Sequence, residues 1–202
     1  MDINKLITEI SAEYMPLKLK SKSGDITAAE SEALFQLSTK LDLYKILKTT
    51  FMEEITKNKE VMKYFLKEGL VTMHKETAFD SNNKPVEVDV PDQSMEERIS
   101  MLPEIFTNPL IEKMVKGHKD NVTIFEKTGD ERLNKEQFEL DVLEAFLPKE
   151  ATADDINAYL DEHYPSGVEQ KMMGKVIGEV KKAFERADGK LISECVKRRI
   201  SI

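Results

Sequence analysis

The sequence predicts an all-α protein, with a helical N-terminal half, a helical hairpin after it and a small three-helix unit at the C-terminal end. Three observations lead there. Apolar residues recur every three or four positions through most of the chain, the spacing that builds one buried face on a helix. Strong helix formers are plentiful, while only eight glycines and seven prolines punctuate 202 residues. Runs of β-branched residues are short, which disfavours sheet. A hydrophobic fraction of 40% beside 34% charged residues is ordinary for a globular chain of one or two domains.

From the amino end, Ile3, Leu6, Ile7, Ile10 and Tyr14 mark a first helix, which Pro16 is expected to cut short. Thr27 and Glu30 have the spacing of a capping box, and Leu34, Leu37, Leu41, Tyr44, Leu47 and Phe51 then trace a long amphipathic helix. Val61, Met62, Phe65, Leu66 and Leu70 give a third stripe near Gly69. These elements make residues 1–74 a helical region. Residues 75–93 read as a linker, a loop or short extended piece in which Pro85 and Pro91 bracket Val86, Val88 and Val90 and confine any strand to an edge or an isolated hairpin.

Residues 94–148 form the next helical region. Ser94 and Glu97 offer a second capping box, and Asn108-Pro109 a second helix start. Met114, His118, Val122 and Phe125 repeat along one face until Gly129, and Leu133, Leu140, Leu143, Phe146 and Leu147 supply the opposing stripe of a hairpin. His118 lies within the stripe as a packed or rim histidine, with no second His or Cys at metal spacing. Residues 149–202 hold three short helices, the first opened by Thr152 and closed by Tyr164-Pro165-Ser166-Gly167.

Within that unit, residues 168–184 wound as one helix divide into unlike faces. Val168, Met172, Met173, Val176, Ile177, Val180 and Phe184 form an apolar arc; Lys171, Lys175, Lys181 and Lys182 lie opposite, with Gly174 and Gly178 among them. Glycine inside a helix costs roughly 1 kcal/mol relative to alanine, so two of them one turn apart ask for a close-packed helix or a ligand touching the backbone. The spacing leaves three readings open: a solvated lysine face, a groove for another helix, or a polyanion contact. Asp188-Gly189 is expected to reverse the chain into the last helix, whose apolar side holds Cys195 beside Ile192 and Val196.

The run Met173-Gly174-Lys175-Val176-Ile177-Gly178, then Arg186-Ala187-Asp188-Gly189-Lys190-Leu191-Ile192 and Val196-Lys197, resembles the C-terminal signature of the GatB/YqeY family. Phe125–Leu133 and Glu139–Pro148 resemble the family's helical hairpin and its closing Leu-Pro. The resemblance covers roughly residues 96–202. It implies a relation to the tail domain of the aspartyl/glutamyl-tRNA amidotransferase B subunit. It also implies a YqeY-like module serving tRNA recognition, with Lys171, Lys175, Lys181, Lys182, Arg186 and Lys190 on phosphates and Gly174 and Gly178 allowing close approach.

Net charge is −8, unevenly placed: residues 168–202 carry nine Lys and Arg against five Asp and Glu, a basic segment on an acidic body. Such a segment could take phosphates, and the partners the resemblance implies are tRNA or another structured RNA, or a translation-related protein. The alternatives are a module receiving a partner helix and an accessory to a tRNA-dependent amidotransferase. No catalytic residues, no metal site and no cofactor are expected: the sequence has no P-loop, dinucleotide glycine pattern, HExxH or paired cysteines. Asp154, Asp155, Asp161, Glu162 and His163 spread around a whole helix, and the first two suit its N-terminal dipole. A single cysteine, no leader pattern at Met1–Lys5 and no apolar run long enough for a bilayer lead to the expectation of a soluble cytoplasmic protein.

Overall fold

A computed structural model describes residues 2–184 and 186–201. It is predominantly α-helical and divides into two units, residues 1–147 and 148–202. Among the described residues, no helix is long and apolar enough to cross a membrane.

The first unit begins with α1 (Ile3–Ser23) and α2 (Ala28–Lys57), packed along each other. The Asp2 carboxylate caps α1, Gly24 closes it in the left-handed conformation (φ 81°), and the Thr27–Glu30 capping box starts α2. Helix α1 does not stop at Pro16, as its sequence suggests. Pro16 and Ala12 are both exposed, so the carbonyl that loses its helical partner faces water, while packing on α2 holds the turns on either side. Helix α3 (Lys59–Lys67) follows from the Asn58 cap.

A two-stranded antiparallel hairpin comes next, β1 (Met73–Phe79) and β2 (Pro85–Pro91), in register from Met73↔Pro91 to Phe79↔Pro85. Both prolines of β2 sit at strand ends, where a missing N–H costs the ladder least. Asp80 Oδ1 accepts from the backbone N–H groups of Asn82 and Lys84, and Asn83 takes φ 60° to turn the chain. The segment read as a loop or short extended piece is thus paired strand, an isolated hairpin of the kind its prolines allow. At the hairpin's base His74 lies between two acids, 2.7 Å from Glu76 and 2.5 Å from Asp92.

Helix α4 (Met95–Ser100) carries the expected Ser94–Glu97 capping box. Helix α5 (Glu104–Thr128) starts earlier than Asn108-Pro109 suggests. Pro109 falls on its second turn with the ring exposed, and the helix opens from extended Pro103. Gly129 (φ 66°) ends α5, and α6 (Leu133–Glu144) returns against it, completing the expected hairpin. Leu43, Leu47 and Phe51 of α2, Val61 and Phe65 of α3, Ile111 and Val115 of α5, and Leu143 of α6 share one buried core.

The second unit contains α7 (Ala153–His163), α8 (Met173–Ala183) and α9 (Gly189–Arg198), the three helices expected. Its core is Ile156 and Leu160 of α7, Val176 and Val180 of α8, Ile192, Cys195 and Val196 of α9, and Val168. Val168 belongs to no helix. It forms β3 (Val168–Glu169), a parallel pair with β4 (Ile200–Ser201), and its N–H donates to the Arg199 carbonyl at 2.8 Å. A single 3-10 turn, Gln170–Met172, leads into α8, so the expected helix from Val168 loses its first turn to this closure.

The acids beside His74, Glu76 most and Asp92 next, favour its protonated form and raise its pKa above 6.5. Stability drawn from this contact is therefore fully present below the unfolded pKa and lost as pH rises through the folded one. An NMR titration should find His74 titrating above 6.5, and Glu76→Gln should bring it down.

Candidate nucleic-acid interface

Helix α8 is fixed by one side. Val176 and Val180 are fully buried, and Met172, Met173, Ile177 and Phe184 pack against the same core. The 100° turn per residue then sends Gly174, Lys175, Lys181 and Lys182 to the exposed side, with Gly178 half-buried between. A Cβ built on Gly174 or Gly178 would meet nothing within 4 Å. Neither glycine has a positive φ, so neither is there for a left-handed turn. The strip is bare backbone with no neighbour requiring it.

The cations around the strip differ in what they do. Lys171 sits on the 3-10 turn before α8, exposed and 2.9 Å from Glu169. Lys175 lies 3.7 Å from Glu179, one turn along the helix. Glu179 also accepts from the Tyr164 hydroxyl; that bond, then Lys175 and Lys182, holds its carboxyl below the usual range, and the same bond to the carboxylate pushes the phenol up to about 12. Lys181 and Lys190 are exposed and form no ion pair with a described residue. Lys190 begins α9, which Asp188 caps by accepting from the N–H groups of Lys190 and Leu191. Asp188 thus acts as a helix cap, and Gly189 is the first helical residue.

Arg186 is placed differently from the lysines. Its side chain is 10% exposed. The guanidinium donates to the Pro148 carbonyl and to Glu150 at 3.2 Å, and its own carbonyl accepts from Ala151 N–H at 2.9 Å. It ties the start of the unit to the α8–α9 connection. Lys149, Lys182 and Arg186, with Glu150 and Asp155, line a shallow groove beside that tie.

Two further cations belong to the exposed side of α9, Lys197 and Arg198. Lys197 follows Lys190 by two helical turns, a spacing visible in the sequence once α9 is recognised as a helix. Arg199 is engaged elsewhere, 2.5 Å from Asp161 on α7. The unit as a whole is electrically balanced, ten Lys and Arg against ten Asp and Glu in residues 148–202. Its basic character is local, produced by acids on α7 and cations on α8 and α9.

The described arrangement offers donors and positive charge for an anion, and no nucleophile–base pair stands among the lysines. A family model for YqeY-like proteins matches residues 72–200, well over half of the chain. The chain belongs to the YqeY-like family. The match reaches further back than residue 96, taking in the β-hairpin and α4, whose counterpart the sequence does not make plain. No curated protein matches the sequence.

Because both glycines are helical and face open space, alanine should fit at either without strain. Gly174→Ala and Gly178→Ala should each raise stability by roughly 0.5–1 kcal/mol, read by urea unfolding of the C-terminal unit's transition.

Proposed function

We propose that this YqeY-like chain is a non-catalytic accessory module that binds tRNA or another structured RNA through the bare strip of α8 and the lysines around it. The observation that carries the reading is the open space over Gly174 and Gly178, flanked by exposed Lys175, Lys181 and Lys182. Exposed helix positions without packing demands favour alanine or charged residues, so a strip that forgoes them has another use. A phosphate backbone suits it: glycine lets the chain approach closely while lysines on either side neutralise charge.

Lys181, Lys182 and Lys190 contribute as exposed cations at the end of α8 and the start of α9. Lys171 and Lys175 contribute after exchanging Glu169 and Glu179 for phosphate. Arg186 supports the interface from beneath by bracing the α8–α9 connection, with its guanidinium at the groove's edge. No exposed aromatic of the unit joins the lysines, so recognition rests on shape and backbone rather than on bases. The resemblance to the amidotransferase tail suggests a place beside tRNA-dependent amidation in the cytoplasm, as a partner of a translation protein and not as the catalyst.

A second reading has its own support. Glu169 and Glu179 offset two of the lysines, and the unit carries no net charge, a balance suited to a partner helix lying on the glycine strip. Salt separates the two.

Binding of bulk tRNA, followed by fluorescence anisotropy, should weaken about 150-fold between 50 and 200 mM salt if roughly four phosphates of duplex-like RNA are neutralised. Lys175→Glu, Lys181→Glu and Lys182→Glu combined should abolish it. Gly178→Ala should weaken it several-fold while stabilising the fold, a pairing that loss of structure cannot produce. Absent or salt-insensitive binding, or recovery of one stoichiometric protein partner untouched by nuclease, would move the assignment to the partner-helix reading.

A further inference from the structure

The hairpin of α5 and α6 brings together three side chains that are far apart in sequence. His118 projects from α5, and Glu136 and Glu139, one turn apart, project from the facing side of α6. One donor atom from each lies within 4.8 Å of the other two. All three side chains are largely withdrawn from solvent, with exposures of 17%, 13% and 14%. Such a group is unlike the dispersed surface acids of α7.

The three donors stand close to one another. His118 Nδ1 stands 2.8 Å from Glu136 Oε1 and 3.9 Å from Glu139 Oε2. Despite the shorter approach, Nδ1 is shielded from water and makes no aligned hydrogen bond. A donor atom so placed, buried and without a hydrogen bond, is available to a further partner. Tetrahedral coordination with bonds near 2.0–2.1 Å sets donor atoms roughly 3.3 Å apart, a spacing that three donors within 4.8 Å of one another reach by small side-chain rotations.

The surroundings support the same use. Asn121, one turn after His118, donates its amide to Glu136 Oε1 at 2.6 Å and so orients that carboxylate. Lys135 approaches the outer oxygen of Glu139, Oε1, at 3.7 Å and leaves Oε2 turned toward His118. One half-exposed lysine beside two withdrawn carboxylates leaves room for further positive charge.

We propose that His118, Glu136 and Glu139 bind one divalent transition-metal ion of the zinc class, clipping α5 to α6. One imidazole and two carboxylates form a mixed nitrogen and oxygen set suited to Zn2+ and poorly suited to Ca2+ or Mg2+, which favour oxygen alone. Three protein donors leave a fourth position for water. The spacing of the sequence conceals the site, because the partners of His118 are glutamates on another helix and not a second His or Cys.

The test uses the full chain stripped with a chelator and then titrated with Zn2+ against a chromophoric competitor. One equivalent should bind, and at a hundredfold excess over the dissociation constant the melting temperature of the hairpin's unit should rise by about 5–10 °C. His118→Asn, and Glu136→Gln with Glu139→Gln, should lose both effects while keeping their helical circular dichroism. His74→Asn, at the exposed cluster on the β-hairpin, should keep them. X-ray absorption of the zinc-loaded wild type provides a check that needs no variant, and should show one imidazole with oxygen ligands. Failure to bind zinc, binding unchanged in the site variants, or sulfur from Cys195 in the coordination shell would overturn the assignment.

Discussion

Burial of Val176 and Val180 is the constraint on which the C-terminal unit's surface depends. A unit of some fifty residues has little core to spare, and these two side chains meet Ile192, Cys195 and Val196 of α9 and Ile156 and Leu160 of α7 at its centre. Once they point inward, helical geometry leaves no freedom over where Gly174, Gly178 and the lysines point. The β3–β4 pair and the Tyr164–Glu179 bond hold the same orientation from the flank. The candidate interface is thus the reverse side of the core, and a change that rotated α8 would destroy both together.

The distribution of charge follows the same logic. Residues 148–202 balance ten cations against ten acids, yet α7 bears acids and α8 and α9 bear cations. Segregation of that kind creates a local field within a balanced unit, and the net −8 of the whole chain resides in residues 1–147. Glu169 and Glu179 temper the field at Lys171 and Lys175. Lys181 and Lys190 are exposed and pair with no described acid.

Most helices could be read from the sequence because cap and stripe agree there. Thr27–Glu30, Ser94–Glu97 and Thr152 each begin a helix at the expected residue. Prolines misled where tertiary packing outweighs local cost: α1 continues through Pro16 and α5 through Pro109, in both cases with the ring toward water. The Val86-Val88-Val90 alternation became a hairpin because Asp80 and Asn83 form its turn, a signal present in the residues but weaker than the polar composition around it. At the candidate site, the apolar arc and exposed lysines of α8 follow from periodicity alone. What periodicity does not contain is contact between distant segments. The Val168–Ile200 pairing, the anchoring of Arg186 on Pro148 and Glu150, and the meeting of His118 with two glutamates all depend on it.

In the proposed function, a phosphate-bearing ligand rests on the uncovered backbone of α8. Backbone amide resonances of the full chain, followed by 1H–15N NMR as tRNA is added, address that contact directly. Gly174 and Gly178 should shift first and furthest, together with Lys181 and Lys182. Movement confined to other parts of the chain, or no movement at low salt, would contradict it.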